Sequence, residues 1–179
     1  LAVVSAIFDF LPMLPFQVLL TNLISDGPLL SISTDRVDEE ELLAPKNWNM
    51  RLISRFTTFF GGISSIFDFV TMAFFFVVAR GDVALFRTGW FMESTLSEIL
   101  VTFPIRTKKR FYQSRPSTIL VVASVGCGLL TVLLPYSSLS TFLGFHPPDL
   151  PELLVIFGIL ATYFSAVELI KSLFNRRYS

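Results

Sequence analysis

One cysteine, Cys127, and one histidine, His146, are all that 179 residues supply of the two soft-metal ligands. A single thiol excludes an intramolecular disulfide, and one imidazole beside it excludes a Cys/His metal cluster, so any bound metal is expected to be a hard, oxygen-seeking cation. A Gly-rich phosphate loop is absent, which leaves no nucleotide site of that type within this stretch. Charge of one sign is also lacking. With 14 basic and 14 acidic residues the net charge is zero, and no basic field invites a nucleic-acid partner. Leu1 is not an initiator methionine, and the first residues show neither the basic segment nor the cleavage site of a signal peptide. The chain is therefore expected to be a piece of something longer.

What the sequence has in abundance is apolar surface. Hydrophobic residues make up 53% of the chain, and the mean hydropathy is +0.66, above the range of soluble domains. The expected fold is an all-α membrane protein, a polytopic helical bundle with one truncated helix and five transmembrane spans. Residues 1–11 read as the end of the truncated helix, interrupted by Asp9 and closed by Pro12 and Pro15. The spans are expected at 16–32, 53–79, 89–105, 117–136 and 151–173. Between them, 33–50 reads as a polar loop with the acidic run Asp38-Glu39-Glu40-Glu41, a solvated face, and Trp48 as an interfacial anchor. Gly61-Gly62 and Ser64-Ser65 suggest close helix packing in the second span. Cys127, flanked by Gly126 and Gly128, reads as a small core residue.

The charges order the loops. Segments 33–55, 106–115 and 171–177 together hold twelve Lys and Arg residues, whereas loops 80–88 and 137–150 hold two, Arg80 and Arg87. The positive-inside rule then makes the first set cytoplasmic, along with the C-terminus. The basic loop Arg106, Lys108, Lys109, Arg110 and Arg115 is also a candidate contact for anionic lipid.

Inside this apolar framework stands a polar knot, Asn22-Leu23-Ile24-Ser25-Asp26-Gly27-Pro28. On a helix Asn22, Ser25 and Asp26 lie at i, i+3 and i+4, so an amide, a hydroxyl and a carboxylate share one face. Pro28 lacks the N–H that would pair with the Ile24 carbonyl, and its ring clashes there, so the helix is expected to unwind. A carboxylate beside freed carbonyls at mid-membrane is the chemistry of a cation site. Asn22, Ser25 and Asp26 are the candidate ligands. Glu98, near mid-span, is a further candidate, and Asp68 is either a ligand or a partner that holds a neighbouring helix. Glu93 is expected to reach the interface, and Glu168 to pair with Lys171, Arg176 or Arg177 near the chain end.

The run Pro15-Phe16-Gln17-Val18-Leu19-Leu20-Thr21-Asn22-Leu23-Ile24-Ser25-Asp26-Gly27 resembles the sixth transmembrane helix of cation-pumping P-type ATPases. Pro12-Met13-Leu14-Pro15, Asp38-Glu39-Glu40, Pro45 with Trp48, Arg55-Phe56, Ser64-Ser65-Ile66-Phe67-Asp68, Gly89-Trp90-Phe91, Arg106-Thr107 and Gln113-Ser114 resemble its magnesium-transporting branch. The likeness extends to Arg176-Arg177 and covers essentially the whole chain, as helices five to ten; Asp9 and Gly62 stand where that branch tends to have proline.

The resemblance implies the ion-pathway part of an ATP-driven Mg²⁺ importer in the cell (plasma or inner) membrane. Asn22 and Asp26 would then bind the transported ion, and further ligands would lie upstream. The family's Asp-Lys-Thr-Gly-Thr phosphorylation motif does not occur here, so ATP would bind to cytoplasmic domains of the same polypeptide. A calcium- or proton-transporting P-type ATPase part is an alternative, because the Asn-x-x-Ser-Asp-Gly element resembles those branches too. A non-enzymatic membrane channel or scaffold is another. An intramembrane protease using Asp26 and Asp68 lacks the Gly-x-Gly-Asp element it would need.

Overall fold

A computed structural model describes residues 10–35, 50–107 and 109–178, with side chains described throughout except at 50–53, 55–56 and 173–178. Asp9, the acidic run 38–41 and Trp48 lie outside the described residues. Five α-helices follow one another, with no strand among the described residues: α1 (Pro15–Ser31), α2 (Met50–Val78), α3 (Val83–Ile105), α4 (Thr118–Leu133) and α5 (Leu150–Tyr178). Short 3-10 turns at Ile32–Thr34, Phe111–Gln113 and Leu134–Tyr136 finish or link them.

Each start has a local cause. Pro15 opens α1, where its missing N–H would have no partner anyway, and Gln17 Oε1 accepts from the Leu14 amide at 2.9 Å. Asp82 caps α3 by accepting from the Leu85 amide at 3.0 Å. Ser117 caps α4 through the Leu120 amide at 3.2 Å. At the head of α5, Glu152 reaches back to the Asp149 amide at 2.7 Å, the returning half of a capping box. One start and one end differ clearly from the sequence reading. Helix α3 begins six residues early, because the Asp82 cap draws Val83–Arg87 into it, and α5 runs past residue 173 to Tyr178.

Helix α3 is the centre of the bundle and packs against all four others, while α1 also rests on α4 and α2 on α5. Its buried Phe86, Trp90, Phe91, Met92 and Leu96 form the core together with Met72 and Phe75 of α2 and Ile156 and Leu160 of α5. The α2–α3 approach is closest at Gly89, where a Cβ would overlap the fully buried Phe75 ring. The close approach is therefore made on α3; Gly61 and Gly62 on α2 face open space among the described residues, contrary to the packing role expected of them.

The outer surface is apolar: Leu23, Leu30, Val77, Val122, Leu133 and Leu154 are each more than half exposed. Bilayer hydrocarbon is as apolar as leucine, so such side chains carry no penalty there and the helices are held by packing and polar contacts instead. Three segments, Thr57–Val78, Thr118–Tyr136 and Leu150–Ser172, are long and apolar enough to cross a membrane by length and composition. Helix α1, with 17 residues, is short by that measure, and α3 carries Arg87, Glu93 and Glu98. Of these, Glu93 is enclosed by the neighbouring helices, Arg87 is half-buried and Glu98 is exposed.

Loops fall at two ends. At one rim His146 pairs with Asp82, and the Arg87 guanidinium donates to the Leu11 carbonyl at 2.9 Å. At the other rim Asp35, Arg106 and Ser117 join, and Lys171 reaches the Pro104 carbonyl at 3.2 Å and Glu168 at 3.0 Å.

Candidate ion site

Helix α1 brings Asn22, Ser25 and Asp26 onto one face, with Asn22 and Asp26 exposed and Ser25 half-buried. The expected unwinding does not occur: α1 is continuous from Pro15 to Ser31 with Pro28 inside it. Pro28 sits in the last turn and is buried, and the Ser31 hydroxyl donates to the Pro28 carbonyl at 2.6 Å, so side-chain bonding and packing hold the turn despite the missing N–H. Pro28 still cannot donate to the Ile24 carbonyl, so a helix that stays wound loses an intrahelical bond at that oxygen. The Ser25 hydroxyl turns back to the Asn22 carbonyl at 3.3 Å.

Across from this face stands α3. Thr95 donates to Thr21 at 3.3 Å, a buried hydroxyl pair that ties α1 to α3 one turn before Ser25. Glu98, one turn beyond Thr95, comes up against Ser25, with Asp68 and Asp26 near enough to repel it. Asp68 on α2 faces inward to Trp90 and Glu93 of α3. Glu93 is 1% exposed, so it lies inside the bundle and does not reach the interface as expected. The sequence reading treated it as a helix-end residue because it put the start of α3 at Gly89. Trp90 Nε1, Thr71 Oγ1 and Glu93 Oε2 are buried and lie beside one another and Asp68, without a hydrogen bond of normal length and angle. The result is an acidic seam from Asp26 past Glu98 to Asp68 and Glu93, in which Asp26 and Glu98 are exposed, Asp68 is half-buried and Glu93 is enclosed.

Among the described residues, no three Asp, Glu, His or Cys side chains converge closely enough to chelate an ion. The seam can offer isolated carboxylates, an amide oxygen, a hydroxyl and backbone carbonyls, which are hard donors. Cys127 stays out of it: half-buried, it packs on the core, and its sulfur faces Gly27.

An apolar exterior around an enclosed carboxylate, Glu93, is the construction of a membrane-embedded bundle. Residues 10–173 match the family described as cation transporting ATPase, C-terminus, and the chain belongs to that family. It is 36% identical over 181 residues to the magnesium-transporting ATPase, P-type 1, of Escherichia coli (strain K12), covering 98% of this chain and 20% of that protein. The protein of the same name from Salmonella typhimurium (strain 14028s) gives the same identity and coverage, and one from strain LT2 is 36% identical over 182 residues. The chain thus spans about a fifth of the length of the curated relatives it matches.

Proposed function

We propose that the chain is the ion-pathway part of an ATP-driven Mg²⁺ importer, with Asn22, Ser25 and Asp26 as ligands and Glu98 facing them from α3. The observation that carries this reading is the position of the α1 polar face. A carboxylate and an amide exposed on an apolar helix are costly in a bilayer unless something polar covers them, and Asp26 and Asn22 are both exposed. The rest of a polypeptide about five times longer supplies that cover in this reading, along with the remaining ligands and the ATP-binding domains. Mg²⁺ gives up its water reluctantly and is held by few protein oxygens, which suits a seam without a closed cage. Asp68, turned towards Trp90 and Glu93, acts as a partner that holds α2 against α3, not as a direct ligand.

The protein lies in the cell membrane as a multi-pass bundle. The rim holding Asp35, Arg106 and Lys171 is cytoplasmic, as is the C-terminus, because the basic residues gather there. Exposed Arg110 and Arg115, with Lys109 beside them, meet anionic lipid at that surface.

The test is Asp26→Asn in the full-length protein, read as the Mg²⁺ dependence of ATP hydrolysis at constant MgATP. The amide keeps the shape and removes the charge, so the expected loss is about 2 kcal/mol, roughly thirtyfold in half-saturating Mg²⁺. An unchanged Mg²⁺ dependence would move the site elsewhere.

A further inference from the structure

Directly after the 3-10 turn that ends α1, Asp35 commits both carboxylate oxygens. Oδ2 accepts from Arg106 Nη1 at 2.6 Å and Oδ1 from the Ser117 amide at 2.7 Å. Arg106 is the C-cap of α3 and Ser117 the N-cap of α4, so one carboxylate ties the end of α1 to the corner between two other helices. The pair is enclosed, with the side chains of Arg106 and Asp35 1% and 8% exposed, and Arg106 Nη2 also donates to the Ser114 carbonyl. From this clasp hydroxyls lead back along α1. Thr34 Oγ1 lies 3.3 Å from Ser117 Oγ and donates to the Ser31 carbonyl at 2.7 Å, and Ser31 donates to the Pro28 carbonyl at 2.6 Å. Pro28 is two residues beyond Asp26.

A buried ion pair is a poor device for stability, because desolvation consumes most of the attraction and an apolar pair of similar volume usually does as well or better. What it does supply is a defined geometry. Helix α1 turns a stripe of Gln17, Thr21, Ile24, Pro28 and Ser31 inward, and the clasp fixes that stripe at its last turn, just beyond Asp26. A slip of one residue turns a helix by about 100°, which would carry Asp26 away from Glu98.

We propose that Asp35 and Arg106 are positioning residues that set the register of α1, and with it the direction in which Asn22, Ser25 and Asp26 face. The role rests on the proposed function and is tested in the full-length protein. Asp35→Asn and the paired change Asp35→Leu with Arg106→Met are measured for thermal midpoint, maximal ATPase rate and half-saturating Mg²⁺ at constant MgATP, beside Asp26→Asn. The apolar pair restores packing and keeps the midpoint near the parent value, yet half-saturating Mg²⁺ rises about tenfold, the scale on which residues outside a site modulate it. Asp35→Asn shifts it in the same direction and carries the test alone if the apolar pair fails to accumulate. A parent-like Mg²⁺ dependence in the clasp variants, with Asp26→Asn shifted, overturns the positioning role and leaves the ion site standing. Parent-like behaviour of Asp26→Asn overturns both.

Discussion

The two rims of the bundle are tied in opposite ways. At the Asp35 rim the ion pair is enclosed, with the Arg106 side chain 1% exposed; at the Asp82 rim the paired His146 side chain is 55% exposed. The first holds helix ends to each other by charges that have nowhere else to go. The second is a strap of loop: Gln17, fully buried at the start of α1, donates to the Leu143 carbonyl at 2.9 Å, and the His146 amide donates to Thr88 of α3 at 2.9 Å. Hydrogen bonds to the strap's backbone carry it, and the exposed Asp82–His146 contact is an addition in water. Equal-looking contacts therefore have unequal consequences, decided by burial.

The largest effect should come from cutting the enclosed pair on one side. Arg106→Met leaves Asp35 charged and without its cation in a dry site, and unfolding in detergent should show a loss of about 3 kcal/mol or more. A loss below about 1 kcal/mol would mean that water reaches the clasp and the contrast between rims is false. Next is Gly144→Ala on the strap. Gly144 has φ +69°, and a Cβ there would lie 3.1 Å from Leu14 Cδ1, so alanine should cost about 1–2 kcal/mol through the left-handed backbone. Equal stability of the two proteins would show that the strap yields freely.

Asp82→Ala removes the α3 cap and should cost about 1 kcal/mol. Burial pushes the Asp82 carboxyl up, but the Leu85 amide and the His146 ring outweigh it and hold the group below its ordinary value of 3.8. A lowered carboxyl contributes its stability above the ordinary value and loses it as pH falls through the lowered one. The Asp82→Ala deficit should therefore be full at neutral pH and shrink in acid, as pH falls through the lowered value. A deficit that grows on acidification contradicts the sign. The smallest effect is His146→Gln itself, within about 0.5 kcal/mol and weakened by salt, as for other exposed pairs.

The same contrast explains what could be read from the sequence. Helices were legible because apolar runs stop at Pro15, Gly81, Pro116 and Pro147-Pro148, and the shared face of Asn22, Ser25 and Asp26 followed from helical spacing alone. Lys171 was rightly matched to Glu168, three residues apart on one helix. Contacts that span the chain were not legible. Asp35 meets Arg106 and Ser117 across 71 and 82 positions, and Gln17 meets Leu143 across 126; no local pattern encodes these partners, so Asp35 read as loop and Gln17 as part of an apolar run. Glu93 was misplaced because its depth depends on where α3 begins, which Asp82 decides. The continuity of α1 at Pro28 depends on the Ser31 hydroxyl and on burial, and propensity rules for proline know neither.

Gly27 sits between Asp26 and Pro28, and a methyl group there would come within 3.1 Å of the Cys127 sulfur on α4. The gap between α1 and α4 is thus gauged by a hydrogen atom on one side and a thiol on the other. Enlarging either party inserts a shim beside the carboxylate: alanine at 27 pushes by a few tenths of an ångström, and an alkylated sulfur by more. The fit of those two small groups therefore sets how near α1 stands to the bundle at the level of Asp26, and leaves α1 no room there to move in.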